Sequence, residues 1–301
     1  NVLQDHKLGE GSISKIRKRA RILERYRSCR VPKDAKVFHS SYYRQSSDPT
    51  KASVVTVHDF IYERFSKGPR RWVHSAQKLA AIRSAQEVIC ISHATKADLL
   101  HFVGDIPGQN IHVIHNGVSE IFHQSSCEEP QVPFVLFVGQ RGGYKNFKLV
   151  LDSMSFLPEF ELHCVGGGSF HSSEFVGIPH SVLKRVKHLG FVTDRALNVI
   201  YNQASCLAYP SSYEGFGIPV IEAMRAGCPV ISTECNAVKE VGQDALTVVN
   251  EIDPKLMSEA ILRTLSAERS AIICRGLAVS RNYSWDNSHK KTLKIYRDLG
   301  A

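Results

Sequence analysis

Short apolar, β-branched runs alternate with longer stretches of helical periodicity along the whole chain, the pattern of βαβ units built on parallel sheets. In the first half the predicted strands are 35–39, 53–57, 87–91 and 111–114, with helices over 70–84 and 93–102. Ser92 is placed to cap the second of these helices. The stretch Phe122 to Pro133, FHQSSCEEPQVP, is polar, carries two prolines and breaks the pattern, which predicts an interdomain linker over 122–132. A second series opens on the fully apolar run 133–139 and continues with strands at 161–165, 186–189, 204–209, 229–232 and 245–248. Helices at 147–154, 194–203, 218–226 and 254–266 alternate with them. The expected architecture is two α/β domains in tandem, 1–121 and 133–283, without solenoid repeats or low-complexity tracts.

Composition narrows this picture. A chain of 301 residues suits two domains, and 43% apolar with 22% charged residues is ordinary globular usage. No apolar run approaches the roughly 18 residues of a membrane span. The opening Asn1-Val2-Leu3-Gln4-Asp5 has neither an initiator Met nor a signal-peptide pattern, so the chain reads as entered partway through. Eight cysteines, at 29, 90, 127, 164, 206, 228, 235 and 274, form no C-x-x-C pair, and most lie in apolar runs. They are expected to be reduced core residues of a cytosolic protein.

The net charge of +9 is concentrated near the start: residues 1–36 hold eleven Lys/Arg against four Asp/Glu, a net of +7. Within this stretch Ser14 to Tyr26 has helical composition, with Ile16, Leu23 and Tyr26 near one face. A basic amphipathic helix of this kind either packs as a solvated helix on its own domain or lies on anionic lipid. An anionic membrane surface is thus one of two readings for residues 14–30, beside a helix packed on its own domain, and nucleic acid is not expected.

Ligands of parallel α/β sheets bind beyond the carboxyl ends of the strands, so polar residues just after predicted strands carry the candidate chemistry. The loop Gly139-Gln140-Arg141-Gly142-Gly143-Tyr144-Lys145-Asn146 combines exposed backbone amides with two cations, a combination that suits a diphosphate. It lacks P-loop and G-x-G-x-x-G spacing, which argues against an ATPase or a dehydrogenase. After the run 204–209 comes Pro210-Ser211-Ser212-Tyr213-Glu214-Gly215-Phe216-Gly217-Ile218-Pro219. Gly215 and Gly217 flank Phe216, and Pro219 sits in the first turn of the next helix, so amides point at an anion. Glu222, amid Val220, Ile221, Ala223 and Met224, needs hydrogen-bond donors, which a diol such as ribose would supply. In the first domain, His58 and Asp59 close an apolar strand; His93 and His115 also sit near strand ends, with His115-Asn116-Gly117 reading as a turn. No Asp-x-Asp triplet is present, so no metal is expected at this chemistry.

Glu214 and Glu222 form the E-x7-E motif of retaining glycosyltransferases with the GT-B fold. Together with Pro210-Ser211, Glu214-Gly215-Phe216-Gly217, Glu222-Ala223-Met224, Gly227-Cys228-Pro229-Val230-Ile231, Ile91-Ser92-His93-Ala94-Thr95-Lys96, Asn116-Gly117-Val118 and Gly190-Phe191-Val192, they resemble family four of those enzymes. The resemblance runs from about residue 53 to the C-terminus. It implies two Rossmann-like domains facing across a cleft, with a C-terminal helix, 284–301, crossing back onto the first domain and Trp285 buried. It implies that Arg141 and Lys145, beside Gly139, bind the donor diphosphate, that Glu222 contacts the ribose, and that Glu214 with the amides of Gly215, Phe216 and Gly217 contacts the transferred sugar. Phe191 and its neighbours would cradle the base, His58 would reach the sugar across the cleft, and Asp59 would orient His58 or face the acceptor.

The implied activity is a metal-independent, retaining hexosyltransferase of polysaccharide biosynthesis. Its implied partners are a nucleotide-diphosphate sugar, of GDP-mannose or UDP-glucose type, and a saccharide or lipid-linked acceptor, with no cofactor. The implied place is the cytoplasm or the inner face of the plasma membrane. The same fold also hosts nucleotide-sugar epimerases and phosphorylases, and a non-catalytic protein binding through its basic segment is the remaining alternative. The strand and glycine-rich loop that open the family's first domain have no counterpart, so the opening segment of domain 1–121 is expected to be missing.

Overall fold

The structure, a computed structural model, describes residues 27–126, 128, 130–266 and 268–301. Most of the basic stretch expected to meet a membrane, 14–26, therefore lies outside the described residues, as does Cys127. The first domain contains strands β1 (Val37–Ser40), β2 (Ala52–Val57), β3 (Glu87–Cys90) and β4 (Asn110–Val113). Helices α1 (Ile61–Phe65), α2 (Pro69–Ser84) and α3 (His93–Val103) lie between them. All four strands are parallel, in the order β1-β2-β3-β4.

Because side chains alternate across a strand, this sheet needs cover on both faces. Val55, Val57, Val88 and Cys90 face a cluster with Ala81 and Ile82 of α2 and Leu99 of α3. Val54, Ile89 and Ile114 face the other way and meet Ile295, with Tyr296 and Leu299 beside it. Those last residues belong to the C-terminal helix, which thus returns from the second domain to complete the core of the first.

The second domain has strands β5 (Phe134–Val138), β6 (Glu161–Val165), β7 (Val186–Gly190), β8 (Cys206–Tyr209), β9 (Val230–Thr233) and β10 (Leu246–Val249). Helices α4 (Phe147–Ser153), α5 (His180–Leu183), α6 (Asp194–Gln203), α7 (Ile218–Arg225), α8 (Asn236–Gly242), α9 (Pro254–Arg263), α10 (Arg269–Ser280) and α11 (Trp285–Asp298) complete the chain. The sheet is parallel throughout, in the order β10-β9-β8-β5-β6-β7. Val135, Phe137, Leu162 and Cys206 pack against α4 and α9, while Leu136, Val138, Leu207 and Tyr209 pack against α6, α7 and α8. The predicted cap is made, with Ser92 Oγ accepting the Thr95 N–H, and the side chains of Thr193, Asp253 and Ser284 cap α6, α9 and α11 in the same way. All seven described cysteines are free thiols, five of them buried.

The connecting segment holds no helix or strand among its described residues, yet it is strapped to the second domain. Phe122 is buried against that domain's core, the His123 N–H donates to Asn198 Oδ1, and the Ser125 N–H donates to Asn202 Oδ1. The two passages of the chain between domains lie side by side. The Val118 N–H donates to the Tyr283 carbonyl, and the Arg225 guanidinium donates to the carbonyls of both Val118 and Tyr283.

Trp285, expected to be buried, is 53% exposed. It is the first residue of α11, and there its backbone carries the packing: a Cβ on Gly117 would lie 2.1 Å from the Trp285 nitrogen. Only glycine at 117 lets the two crossings touch. Gly117→Ala is expected to destabilise the fold by roughly 1–3 kcal/mol, read as a lower midpoint in denaturant unfolding followed by tryptophan fluorescence.

Candidate functional site

In the second sheet the chain leaves β5 toward β6 on one side and returns through β8 on the other. The loops after β5 and β8 therefore meet at a topological switch point, where open α/β sheets form their ligand crevice. Those loops are laced together. Asn146, in the left-handed region at φ 50°, donates from Nδ2 to the Pro210 carbonyl at 2.9 Å. The Ser212 N–H donates to the Tyr144 carbonyl at 2.8 Å. This lacing brings Lys145 and Glu214, far apart in sequence, to one point.

The Lys145 ammonium lies 2.5 Å from Glu214 Oε1, and both side chains are nearly buried. The Tyr209 hydroxyl lies 3.3 Å from Lys145 Nζ. Burial, reinforced by Glu214, pushes the Tyr209 phenol well above its usual range, so it stays a neutral hydrogen-bond partner. Gly217, at φ 104°, begins α7, with Pro219 in its first turn. One turn further on, Glu222 Oε2 accepts a hydrogen bond at 3.0 Å from the hydroxyl of Tyr201 on α6. Burial raises the Glu222 carboxyl to about 7, against the lowering effect of the Tyr201 hydrogen bond. A carboxyl so poised exchanges favourably with hydroxyl donors.

The first domain closes on this loop. A Cβ on Gly215 would lie 1.9 Å from the His58 carbonyl oxygen, so the backbones after β2 and β8 touch directly. The Gly215 carbonyl in turn accepts hydrogen bonds from Ser92 Oγ at 2.6 Å and Thr95 Oγ1 at 3.0 Å. Tyr213 reaches into the first domain: its hydroxyl accepts the Phe60 N–H at 2.8 Å and donates to Asp98 Oδ2 at 2.7 Å. Arg64 grips the same Asp98 through two nitrogens and lies 5.1 Å over the Tyr213 ring. Phe65 stacks on Tyr144 at 4.9 Å, extending the contact across the two domains.

The remaining sequence candidates fall in different places. His58 is at this junction, but its ring nitrogen Nε2 lies 3.1 Å from the Ser41 carbonyl, and its backbone rather than its ring meets Gly215. Asp59 accepts the Ile61 N–H at 2.9 Å and so shapes the start of α1. The Asp59 carbonyl takes a hydrogen bond from fully buried Lys78, whose ammonium also pairs with Glu63 at 2.7 Å. Gly139 ends β5 at φ 121° and donates to the Val165 carbonyl. Phe191, just past β7, is 86% exposed, whereas the Phe216 ring is buried against His115 and Tyr283.

Arg141 is bonded to a different set of groups from Lys145. Its guanidinium, 6% exposed as a residue, donates to Glu174 and to the carbonyls of Gly166, Gly168 and Ser169. It lies 4.5 Å over Phe170 and braces a Gly166-Gly167-Gly168 turn in which all three φ values are positive. Sequence reasoning missed Tyr201, Tyr209, Tyr213, Ser92 and Thr95 as partners of the site's carboxylates and carbonyl. A triple glycine after an apolar strand was the visible signal for the turn that Arg141 holds.

Comparison with known proteins bears on the family and the fold. The family model described as glycosyl transferases group 1 matches residues 118–275, and that of glycosyltransferase family 4 matches residues 6–120. The O-antigen chain mannosyltransferase B of Escherichia coli is 37% identical over 116 residues, which are 38% of this chain and 30% of that protein. The serotype-specific mannosyltransferase WbdA of Escherichia coli is 26% identical over 272 residues, 78% of this chain and 32% of its own length. The chain thus spans about a third of these two relatives. Among solved structures, sucrose-phosphate synthase from Thermosynechococcus elongatus superposes with a TM-score of 0.74 at 21% identity, covering 88% of this chain and 73% of that one. That likeness confirms two parallel-sheet α/β domains of the GT-B type.

Two outcomes follow from the site. Gly215→Ala forces the domains apart at the His58 carbonyl, and is expected to lower the thermal midpoint while leaving the far-ultraviolet circular dichroism unchanged. Glu222 has a folded pKa raised from 4.5 to about 7, so its contribution to stability is full below 4.5 and is lost as pH rises through 7. Replacing it with Gln removes that loss. Glu222→Gln is expected to be more stable than wild type at pH 8, by on the order of 3 kcal/mol, with the difference vanishing near pH 4.5 in melts taken across that range.

Proposed function

The chain belongs to the glycosyl transferases group 1 family, and on that premise we propose that it is a retaining glycosyltransferase of polysaccharide assembly. In this reading it moves a hexose from a nucleotide-diphosphate sugar to a saccharide or lipid-linked acceptor. The observation that carries the reading is the placement of Lys145–Glu214 and Tyr201–Glu222 as two pairs on the two loops and helices of the switch point. Donor chemistry needs a cation at the leaving diphosphate, a carboxylate at the sugar hydroxyls, and a hydrogen-bonding acid at the ribose. Lys145, Glu214 and Glu222 meet these needs in that order.

Lys145 neutralises the charge that develops on the departing diphosphate, and the amides at the start of α7 assist it. Glu214 exchanges its ion pair with Lys145 for the hydroxyls of the transferred sugar. Arg141 is already bonded to Glu174 and to three carbonyls, so in this reading Lys145 makes the first charged contact and Arg141 keeps the loop in shape. Phe191, at the open edge after β7, offers its exposed ring to the base. His58 reaches the sugar once its ring leaves the Ser41 carbonyl, and Asp59 holds the turn that carries it. The mannosyltransferase relatives favour a GDP-mannose-type donor. No helix among the described residues is long and apolar enough to cross a membrane. The positive charge of residues 14–30 supports attachment to an anionic surface where a lipid-linked acceptor would be met.

A panel of nucleoside diphosphates and their sugars tests this directly. Saturation at about 100 times Kd stabilises by about 2.7 kcal/mol, so one member should raise the thermal midpoint of wild type and do much less for Lys145→Ala. Mass spectrometry with an oligosaccharide acceptor should then show the added hexose. Product formed from donor alone by inversion of its sugar would identify an epimerase instead, and no shift with any member would sink the reading.

A further inference from the structure

Away from Lys145 and Glu214, His93, His115 and Glu240 converge at the junction of the two domains. One ligand-type atom from each lies within 4.8 Å of the others. His93 is the first residue of α3, His115 follows β4, and Glu240 lies in α8 of the second domain. We propose that these three side chains bind a divalent transition-metal ion of the zinc class, one that fastens the first domain to the second.

The donor set argues for that class. Two imidazoles and one carboxylate suit zinc and its neighbours, whereas magnesium and calcium prefer oxygen ligands throughout. Three protein ligands with a fourth position left to solvent are a common zinc arrangement. The ligands are also oriented before any ion arrives. Glu240 accepts the His93 N–H at 2.8 Å on one oxygen and the Ala94 N–H at 3.1 Å on the other, so the carboxylate is fixed against the start of α3. His115 Nε2 faces the same carboxylate at 2.7 Å, and its ring is flanked by Phe216 and Tyr283 at 5.8 and 5.6 Å. Supports of this kind hold a metal ligand in its working orientation.

The required adjustment is small. Bonds of about 2.0–2.1 Å place tetrahedral ligand atoms about 3.3 Å apart. The 2.7 Å His115–Glu240 contact therefore opens by about 0.6 Å, and the ion takes the place of the proton between them. The His93 ring is exposed, lies 6.2 Å from the His115 ring, and makes no side-chain hydrogen bond among the described residues, so it is free to swing in. Exposure of His93 also supplies the entry path.

The full chain, stripped with a chelator, would be titrated with zinc chloride by calorimetry and melted with and without the ion, alongside His93→Ala and Glu240→Gln. His93→Ala alters an exposed ring and keeps the backbone N–H to Glu240, so it should fold. Wild type is expected to bind one more zinc equivalent than His93→Ala, to melt higher with zinc, and to lose both effects in each variant. Cobalt in place of zinc should give the intense visible absorption of a four-coordinate site in wild type and not in His93→Ala, and magnesium should do nothing. Equal stoichiometry, equal thermal shift and equal cobalt spectra in wild type and His93→Ala would overturn the proposal. So would an absence of zinc binding by wild type. Neither result bears on donor binding at Lys145 and Glu214.

Discussion

One carbonyl group organises the molecule: that of Gly215, which sits in the middle of the loop carrying the candidate chemistry and is held by the hydroxyls of Ser92 and Thr95 from the other domain. A buried carbonyl must find donors, and here it finds both in the N-terminal turn of α3. The Ser92 hydroxyl also caps that helix by accepting the Thr95 N–H, so one small polar cluster fixes a helix start, a loop and the separation of two domains. The absence of a side chain at 215 is what allows this, since the His58 carbonyl occupies the space a Cβ would need. Everything that faces the crevice, Glu214 on one side and the His58–Asp59 turn on the other, inherits its position from this contact.

The charged groups around it are arranged with different degrees of solvent exclusion. Lys78 is wholly buried and survives there because Glu63, the Asp59 carbonyl and the faces of Phe60 and Tyr43 surround its ammonium. Removing any one partner leaves a buried charge, so this pair makes the turn below His58 rigid. Lys145 and Glu214 are slightly more open, and each is a good partner for groups other than the other. Rigidity beneath the crevice and exchangeability at its lip are what a site needs to hold a shape while changing partners.

Much of this was legible from residue order. Apolar runs of β-branched residues located all ten strands of the described residues to within two positions, because buried parallel strands show little but apolar side chains. Glu214 and Glu222 stood out because glycines and a proline surround them at the end of a strand. Tyr201 did not, since an aromatic on an amphipathic helix looks the same whether its hydroxyl is in the core or on a carboxylate. Arg141 shows the opposite limit. A cation in a glycine-rich loop signals an anion, and sequence cannot tell that Glu174 supplies one. Trp285 was expected to be buried as part of a packed terminal helix, whereas the packing at that position is made by its backbone against Gly117. Helices α8 and α10 follow turns without strong periodic signals, and they take their form from the core they cover.

The paired crossings at Val118 and Tyr283 have a mechanical meaning. Two chain segments that run side by side between two bodies, bonded to each other and to one guanidinium, behave as the leaf of a hinge rather than as a tether. A single flexible strand would let one body twist, slide and swing over the other. A bonded pair resists twist and shear, and leaves swing about one line as the soft motion. Arg225 sits on that line, at the end of the helix that also bears Glu222. The axis of swing and the helix that bears Glu222 are therefore one rigid piece, whereas the Glu214 loop, held through Gly215 by Ser92 and Thr95, is the part that an opening of the domains would release.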